Sequence, residues 1–278
     1  MDEYNTLVLS GGGIKGLLIL GALEYLYETG KLQKKNIRKY IGTSIGAIIN
    51  VLLIIGYEPK EICAHIVKSR FFDDIKSKIT PLSGFSGKGF LNYGKVSKLL
   101  ENLIKEKIGS IPTIKEFCKK YDIIFLAVSF DYTDQKEYTI SMKNSPELNL
   151  LDALRMTSNV PFLFDPFEYK GKKYFDGFLT NNYAIDKLDI NHDTAIGVFC
   201  ETVKNNKESE HSSNWNLFWE IILIPLNQLQ EYKRKPYQDS LLNLRIVTKK
   251  EFDFDINLNV RNVLDSFSDG YVQIKNII

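Results

Sequence analysis

The feature that most constrains this chain is a pattern of strand, glycine-containing turn and helix that occurs twice near its beginning. Residues 5–9 form a short β-rich run that ends in Ser-Gly-Gly-Gly, and residues 17–28 then follow the periodicity of a helix. Residues 39–41 predict a second strand, which leads through residues 42–44 into an apolar helix that ends near residue 55. The pattern predicts that the two turns lie on adjacent strands of an α/β sheet.

Strands and helices continue to alternate along much of the remaining chain. Further strands are predicted at residues 122–130, 137–142, 164–169, 172–175 and 194–200. Further helices are predicted at about residues 59–69, 93–107, 113–120 and 148–158. This alternation predicts a three-layer α/β/α sandwich around a mostly parallel, mixed central sheet.

Charge and composition exclude several classes of protein. The 36 Lys and Arg residues nearly balance 34 Asp and Glu residues, so charge gives no argument for a nucleic-acid partner. Cys63, Cys118 and Cys200 are widely separated and form no metal-binding or disulfide pattern, so we expect no metal and no cofactor.

The start of the chain has no basic segment followed by an apolar one, as a signal peptide would have. The most apolar run, residues 45–56, has about half the roughly 20 residues that a membrane helix needs. It therefore predicts a buried core helix and no transmembrane segment. We expect an intracellular, cytoplasmic protein that is peripheral at membranes where it meets its substrate.

The pentapeptide Gly42-Thr-Ser44-Ile-Gly46 lies between the second predicted strand and its helix. This G-x-S-x-G pattern is typical of a nucleophile elbow, in which small flanking residues allow a strained turn to expose the serine hydroxyl. The helix that follows also favours developing negative charge at its N-terminus. An ordinary glycine-flanked turn is the alternative, but the strand-to-helix context favours Ser44 as a nucleophile, with Gly42 and Gly46 forming the elbow.

A glycine-rich segment follows the first predicted strand and consists of Gly11, Gly12, Gly13, Lys15 and Gly16. Backbone N–H groups in such a turn point into one concavity, which suits an anion or an oxyanion. A dinucleotide fingerprint would need an acidic residue at the end of the second strand, where Ser44 lies instead. A phosphate loop would need Ser or Thr after Lys15, and glycine follows it. Tight packing of helix on strand remains an alternative, but an oxyanion hole explains both motifs together.

A serine nucleophile needs a base, and Asp176, which Gly177 follows, is the carboxylate that stands out. It comes after the predicted hairpin, although an isolated Asp-Gly pair is often only a turn. None of the histidines, His65, His192 and His211, lies in a distinctive setting. An α/β-hydrolase triad of Ser44, Asp176 and either His192 or His211 has the right chain order. That fold normally builds several strands before its elbow, and only one precedes Ser44 here.

These motifs together resemble the patatin-like phospholipases. The matching blocks are Ser-Gly-Gly-Gly-x-Lys-Gly at residues 10–16, Gly-Thr-Ser-Ile-Gly at residues 42–46, Ala-Leu-Arg-Met-Thr-Ser-Asn-Val-Pro at residues 153–161 and Asp-Gly at residues 176–177. They occur in the family's order and spacing, and the resemblance covers about residues 5–200. It implies a Ser44–Asp176 dyad in which the aspartate takes the serine proton directly, without a histidine and without calcium.

Three positions depart from the family's pattern: Lys15 where arginine is commoner, Phe178 where a small residue usually follows Asp-Gly, and Ala184 where proline is frequent. Lysine keeps a cation near the glycine loop but lacks the planar fork of arginine. A bulky Phe178 beside the base is expected to narrow the acyl channel or to restrict Asp176.

We expect residues 1–200 to form the patatin-like catalytic domain and residues 201–278 to form a helical and strand extension on the same domain. Within the extension, Trp215, Phe218 and Trp219 begin an apolar stripe at helical spacing, which Pro225 should kink or end. Such a stripe is more often core, but beside a polar linker it also suits a lid or membrane-facing helix at residues 213–230.

The sequence thus predicts a serine acyl hydrolase of the phospholipase A or lysophospholipase type, acting on phospholipid at a membrane or micelle surface. Ser44 attacks the acyl ester, Asp176 acts as base and then as acid, and the glycine loop stabilises the oxyanion. A nucleotide- or lipid-binding module without catalysis is the rival from another class.

Overall fold

A computed structural model describes residues 4–69, 92–203, 214–237, 242–248 and 260–278. The strands are β1 (Thr6–Leu9), β2 (Lys39–Thr43), β3 (Ile124–Asp131), β4 (Lys136–Ile140), β5 (Phe167–Tyr169), β6 (Lys172–Asp176), β7 (Ala195–Thr202) and β8 (Leu242–Thr248). The helices are α1 (Gly16–Glu28), α2 (Ile45–Ile54), α3 (Pro59–Lys68), α4 (Gly94–Ile108), α5 (Ile114–Tyr121), α6 (Leu150–Thr157), α7 (Asn214–Arg234) and α8 (Val260–Ile277).

All of these strands belong to one sheet with the order β5-β6-β3-β2-β1-β7-β8, and β4 pairs with β3 outside this path. The central strands β3, β2, β1, β7 and β8 run parallel, whereas β4 and β6 are antiparallel to β3 and β5 is antiparallel to β6. The mixed, mostly parallel sheet with flanking helices confirms the predicted α/β fold class.

The two faces of the sheet are covered differently. Leu7 and Leu9 of β1 pack into the larger core together with residues of α1 to α6 and α8, and we call this side the helix-rich face. Val8, between them, points to the opposite side because successive side chains of a strand alternate. There it joins a small cluster that residues 183–188 cover, and we call this side the turn-covered face.

The register of β3 explains how two distant parts of the chain meet. Residues 124–128 of β3 pair with β2, and residues 129–131 pair with β6. Because β4 pairs with residues 127–131, it occupies the other side of β3, and β2 and β6 meet end to end on the same side. Thr43 therefore lies opposite Val128, and Asp176 lies opposite the next residue, Ser129.

The C-terminal residues extend this sheet and core. Strand β8 pairs in parallel with β7, and α8 packs against α1 where glycines allow close approach. A Cβ atom on Gly270 would lie 2.0 Å from the carbonyl oxygen of Leu18, so a side chain does not fit there. The sequence analysis did not assign β8 or α8 individually.

Pro225 was expected to kink or end the helix, and of these two outcomes the end is wrong, because α7 continues through Pro225. Proline removes the hydrogen bond to the carbonyl of Ile221, but both residues are exposed, and water can satisfy that carbonyl. The side chains of residues 214–220, and with them Trp215, Phe218 and Trp219, lie outside the described part of the structure, as does the linker at 204–213. Of the helices that the structure describes, none is both long enough and apolar enough to cross a bilayer.

Candidate active site

Ser44 lies in a sharp turn between β2 and α2, with φ 54° and ψ −125°. A non-glycine residue with positive φ is strained, and such strain is found where a turn must hold a functional side chain. The flanking glycines make the turn sterically feasible. A Cβ on Gly42 would lie 2.5 Å from the backbone nitrogen of Ala47, and one on Gly46 would lie 2.4 Å from the carbonyl oxygen of Leu9.

The turn brings Ser44 against Asp176, at the end of β6. The serine Oγ donates a hydrogen bond to Asp176 Oδ2 over 2.6 Å. Both residues are buried, with 5% of Ser44 and 1% of Asp176 exposed. A short hydrogen bond from a hydroxyl to a carboxylate, shielded from water, is the geometry that direct proton transfer from the serine requires.

Backbone contacts fix the position of Asp176. Its N–H donates to the carbonyl oxygen of Asn159 over 2.9 Å, and its Oδ1 accepts from the N–H of Phe178 over 2.9 Å. Burial raises the pKa of Asp176 from 3.8 to about 7, although the hydrogen bonds from Ser44 and Phe178 oppose the rise. A carboxylate with this pKa is a base suited to neutral pH.

The bulky Phe178 does not displace the carboxylate. Its side chain is half-buried, and its backbone N–H is the donor that holds Asp176 Oδ1. This hydrogen bond comes from the backbone and does not depend on the side chain, so a narrowed acyl channel or a restricted Asp176 caused by the Phe178 side chain stays a prediction. Gly177, between them, has no room for a side chain because a Cβ there would lie 2.3 Å from the carbonyl oxygen of Val128.

Thr157, at the end of α6, contacts Ser44 and was not among the site residues predicted from the sequence. Its Oγ1 accepts a hydrogen bond from the Ser44 N–H over 3.1 Å, and its hydroxyl donates to the carbonyl oxygen of Val128. Thr157 and Asn159 thus connect α6 to both members of the pair. Both residues belong to the block at residues 153–161 that resembles the family. This resemblance was the sequence signal that could have identified them as site residues.

The glycine loop lies directly beside the serine. A Cβ on Gly11 would be 3.3 Å from Ser44 Cβ, and the Gly11 N–H donates to the carbonyl oxygen of Asn182 over 2.8 Å. Gly12 has φ 151° and Gly13 has φ 55°, which turn the chain at this point. Within the described residues, the N–H groups of Gly12 and Gly13 make no hydrogen bond.

These contacts correct the predicted set of oxyanion donors. Besides the Gly11 amide, the Gly16 amide is also occupied, because it donates to the carbonyl oxygens of Gly13 and Ile14 at the start of α1. Gly16 instead allows close packing, since a Cβ there would lie 2.4 Å from Cγ1 of Ile45. The Lys15 Nζ donates to Thr202 Oγ1 over 2.5 Å, so its side chain reaches β7.

Of the two histidines that could complete a triad, the structure describes His192, which does not contact this pair. His192 hydrogen-bonds Asp189 over 2.8 Å, and its carbonyl oxygen accepts from Asn5, just before β1. It thus lies at the amino ends of β1 and β7, whereas Ser44 follows the carboxyl end of β2. His65 of α3 packs edge-on against Tyr57. His211 lies outside the described residues.

Comparisons with known proteins agree with this geometry. The chain is 32% identical over 213 residues to "Probable lipid hydrolase 463L" of Invertebrate iridescent virus 6, an alignment that covers 74% of this chain and 68% of that protein. It is 28% identical over 199 residues to "Uncharacterized protein YqhO" of Bacillus subtilis (strain 168), with 64% of each chain covered.

Among solved structures, VipD from Legionella pneumophila superposes with a TM-score of 0.55 over 99% of this chain and 67% of its own. At 18% identity, this likeness concerns the fold alone. The sequence also matches the model of the family described as "Patatin-like phospholipase" over residues 7–189. That match includes every block from the glycine loop to Asp176, and the chain belongs to the patatin-like phospholipase family.

Proposed function

We propose that the protein is a phospholipase of the A or lysophospholipase type, which hydrolyses fatty-acyl esters of glycerophospholipids through an acyl-serine intermediate. The observation that carries the proposal is the buried hydrogen bond of 2.6 Å between Ser44 Oγ and Asp176 Oδ2. Membership in a lipid-hydrolysing family and a relative named as a probable lipid hydrolase support the substrate class.

In the first step, Ser44 Oγ attacks the ester carbonyl carbon while Asp176 accepts the hydroxyl proton. The carbonyl π electrons move to oxygen, and the tetrahedral intermediate then collapses, with Asp176 returning the proton to the leaving alkoxide. In the second step, water gives a proton to Asp176 and attacks the acyl carbon. The tetrahedral intermediate then collapses, Asp176 returns the proton to the departing Ser44 oxygen, and the fatty acid is released. One carboxylate serves both steps, so no histidine is needed.

The amides of Gly12 and Gly13 are the proposed donors for the oxyanion. They lie in the loop that touches Ser44, and no hydrogen bond among the described residues occupies them. The N-terminus of α2, which begins immediately after Ser44, adds a favourable dipole for the developing charge. Loss of one such donor typically costs about 100-fold to 1,000-fold in rate.

An apolar strip on α7 supports action at a lipid surface. Ile221, Ile224 and Tyr232 expose 58%, 52% and 79% of their surface, and they share one side of the helix. Leu229 lies at the edge of this strip and is 37% exposed. Helix α7 also contacts the active-site loops, because Gln230 Oε1 accepts from the N–H of Asn182 over 2.8 Å. We propose that the strip rests on the membrane from which the substrate enters.

The test is fatty-acid release from phosphatidylcholine vesicles by Ser44→Ala and Asp176→Asn, with labelling of the serine by a fluorophosphonate. We expect each variant to lose more than about 1,000-fold in rate. His192→Ala is the matched control and should keep full activity, in the presence or absence of a calcium chelator. Substantial activity in Asp176→Asn would refute the dyad, and loss of activity in His192→Ala would favour a triad.

A further inference from the structure

A cavity of about 370 Å³ lies on the turn-covered face of the sheet, away from the Ser44–Asp176 pair. The residues that line it are Phe199 and Glu201 of β7, Asn243 and Arg245 of β8, and Arg234 at the end of α7. Phe199 is paired with Arg245 in the strand register, and side chains two positions apart share a face. The cavity is therefore built from regular elements whose positions the sheet fixes.

Arg234 is the unusual member of this group. Among the residues that the structure describes, its guanidinium has no ion pair and no hydrogen-bond acceptor, and its Nε is buried without a partner. It lies over the ring of Phe199, with 4.6 Å between the guanidinium carbon and the ring centroid. A charge that is partly removed from water costs free energy unless an opposite charge or hydrogen-bond acceptor compensates it.

The other polar groups of the cavity do not compensate this charge. Arg245 Nε donates to the carboxylate of Glu201, which neutralises that pair. The side chain of Asn243 accepts from the Tyr183 hydroxyl over 2.7 Å and donates to the carbonyl oxygen of Tyr237 over 3.3 Å. Two guanidinium groups thus face one carboxylate, and the cavity carries one excess positive charge.

We propose that this cavity binds a phosphate group, either on a lipid headgroup or on a soluble phosphate, between Arg234 and Arg245. A guanidinium offers several N–H donors in a planar fork, which matches the oxygens of a phosphate. Two arginines on facing elements can each donate to different oxygens of one tetrahedral anion. The apolar wall that Phe199 forms keeps Arg234 in place by stacking.

The position of the cavity links it to the active site. Arg234 lies one helical turn after Gln230, which holds the backbone of Asn182 and Tyr183 through hydrogen bonds of 2.8 and 3.3 Å. The carbonyl oxygen of Asn182 in turn accepts from the Gly11 N–H. A phosphate that binds Arg234 therefore holds the end of α7 that supports the glycine loop.

Binding is tested first with inorganic phosphate and the full chain. Thermal unfolding is measured with 10 mM phosphate and with chloride at equal ionic strength, for wild type, Arg234→Met, Arg245→Gln and the control Arg261→Gln. Arg261 is an exposed arginine of α8, so its loss changes the net charge equally. We expect phosphate to raise the Tm of wild type and of Arg261→Gln by about 2–4 °C, and to leave the two cavity variants unchanged.

A second arm uses sedimentation with phosphatidylcholine vesicles, with and without phosphatidic acid. If sedimentation of the protein with vesicles needs both phosphatidic acid and Arg234, and free phosphate does not raise the Tm, the ligand is a lipid headgroup. If free phosphate raises the Tm and the protein does not sediment with the vesicles, the ligand is a soluble phosphate. Equal responses of wild type and Arg234→Met in both arms would overturn the proposal.

The stability of Arg234→Met without phosphate checks the charge argument separately. Because methionine removes an unpaired charge and keeps much of the volume, its Tm should equal or exceed that of wild type. A clear decrease would count against an uncompensated arginine. Arg245 is half-exposed, so Arg245→Gln tests the site even where Arg234→Met unfolds. Neither arginine contacts the dyad. A protein that binds phosphate but hydrolyses no ester would therefore refute the proposed hydrolysis and leave the phosphate site intact.

Discussion

The turn around Ser44 and the helix α7 lie close together but are built in opposite ways. Around Ser44, backbones approach so closely that a single methyl group on Gly42 or Gly46 would meet a backbone atom at 2.5 Å or less. Helix α7 instead leaves Ile221 and Ile224 exposed by more than half and leaves Arg234 unpaired within the described residues.

The proposed function explains this difference, because hydrolysis of a membrane lipid has two requirements. The chemistry needs two side chains held at hydrogen-bond distance, which rigid backbone contacts provide. The entry of a lipid needs apolar surface that is exposed before the membrane arrives. A single chain meets both requirements by placing them on separate elements that one side chain, Gln230, connects.

The largest effect is expected from a methyl group in the rigid turn. Gly46→Ala should lower activity on a soluble ester by more than about 100-fold, because the new Cβ would lie 2.4 Å from the carbonyl oxygen of Leu9 and displace Ser44. Gly94→Ala is the control, since there a Cβ meets only the flexible Asn92 side chain. Ester hydrolysis and thermal unfolding of both variants provide the measurement. Normal activity in Gly46→Ala would contradict the steric argument.

The conformation of this turn could be predicted from the sequence, whereas the role of Ser44 as nucleophile stays a prediction. A strand, a glycine-flanked serine and an apolar helix are all local features, so Ser44 could be assigned from its neighbours. The aspartate needed the family resemblance, because no local pattern separates a catalytic Asp-Gly from a turn. The contact of Thr157 with Ser44 and the occupied amide of Gly11 depend on contacts between distant segments, which a single sequence does not reveal. The Gly16 amide is instead occupied by the local turn at the start of α1.

The second effect concerns the pKa of Asp176. Because the ionised carboxylate is the base, kcat/KM on a soluble ester should be constant above about pH 7 and fall about tenfold per pH unit below it. The rate at which a fluorophosphonate labels Ser44, measured at several pH values, provides an independent measurement. A profile that stays flat down to pH 5 would show that another group accepts the proton.

The same pKa predicts the pH dependence of stability. The Asp176 carboxyl keeps its proton up to about pH 7 in the folded protein but releases it near pH 4 in the unfolded chain. Protonated Asp176 therefore makes its full contribution to the free energy of unfolding below pH 4, and this contribution is lost as the pH rises to 7. Asp176→Asn removes the dependence. Its free energy of unfolding relative to wild type should rise by a few kcal/mol between pH 4 and pH 7 and then stay constant. Urea titrations at several pH values measure this difference.

A smaller effect is expected at the connection between the two regions. Gln230→Leu removes the acceptor for the N–H groups of Asn182 and Tyr183 but keeps a similar volume, so the glycine loop loses support and kcat should fall about tenfold. Gln228→Leu, an exposed neighbour on the same helix, should leave kcat on a soluble ester unchanged, and Gln230→Glu should keep kcat near that of wild type because it keeps the acceptor. Hydrogen exchange at Gly11 should rise only in Gln230→Leu. Unchanged exchange there would mean that α7 does not support the loop.

Helix α7 also marks the limit of what the sequence could predict in the C-terminal part. The predicted stripe of Trp215, Phe218 and Trp219 continues through Ile222, Leu223 and Leu226, which are half-buried. The exposed Ile221 and Ile224 lie on the opposite side of the helix, so both the core and the membrane interpretation of the stripe stay predictions. Pro225 was expected to kink or end the helix, but the helix continues, because the exposed position lets water replace the lost hydrogen bond. Strand β8 is recognisable mainly through its partner β7, because its own pattern is short. Helix α8 carries apolar residues at helical spacing, at Val260, Val263, Leu264 and Phe267, and this signal was overlooked.

The smallest effect is expected from the exposed strip, and only at a membrane. Ile221→Ser with Ile224→Ser should lower hydrolysis of vesicle phospholipid about threefold to tenfold, because each side chain contributes a modest amount of apolar area to lipid binding. Hydrolysis of a soluble ester should not change, because neither side chain contacts the dyad. Leu264→Ser with Val272→Ser on α8 removes similarly exposed apolar groups and should leave both activities intact. If the double variant lost equal activity on vesicles and on the soluble ester, the strip would contribute to the stability of the fold and not to lipid binding. The contrast between a rigid site and a lipid-binding helix would then be wrong.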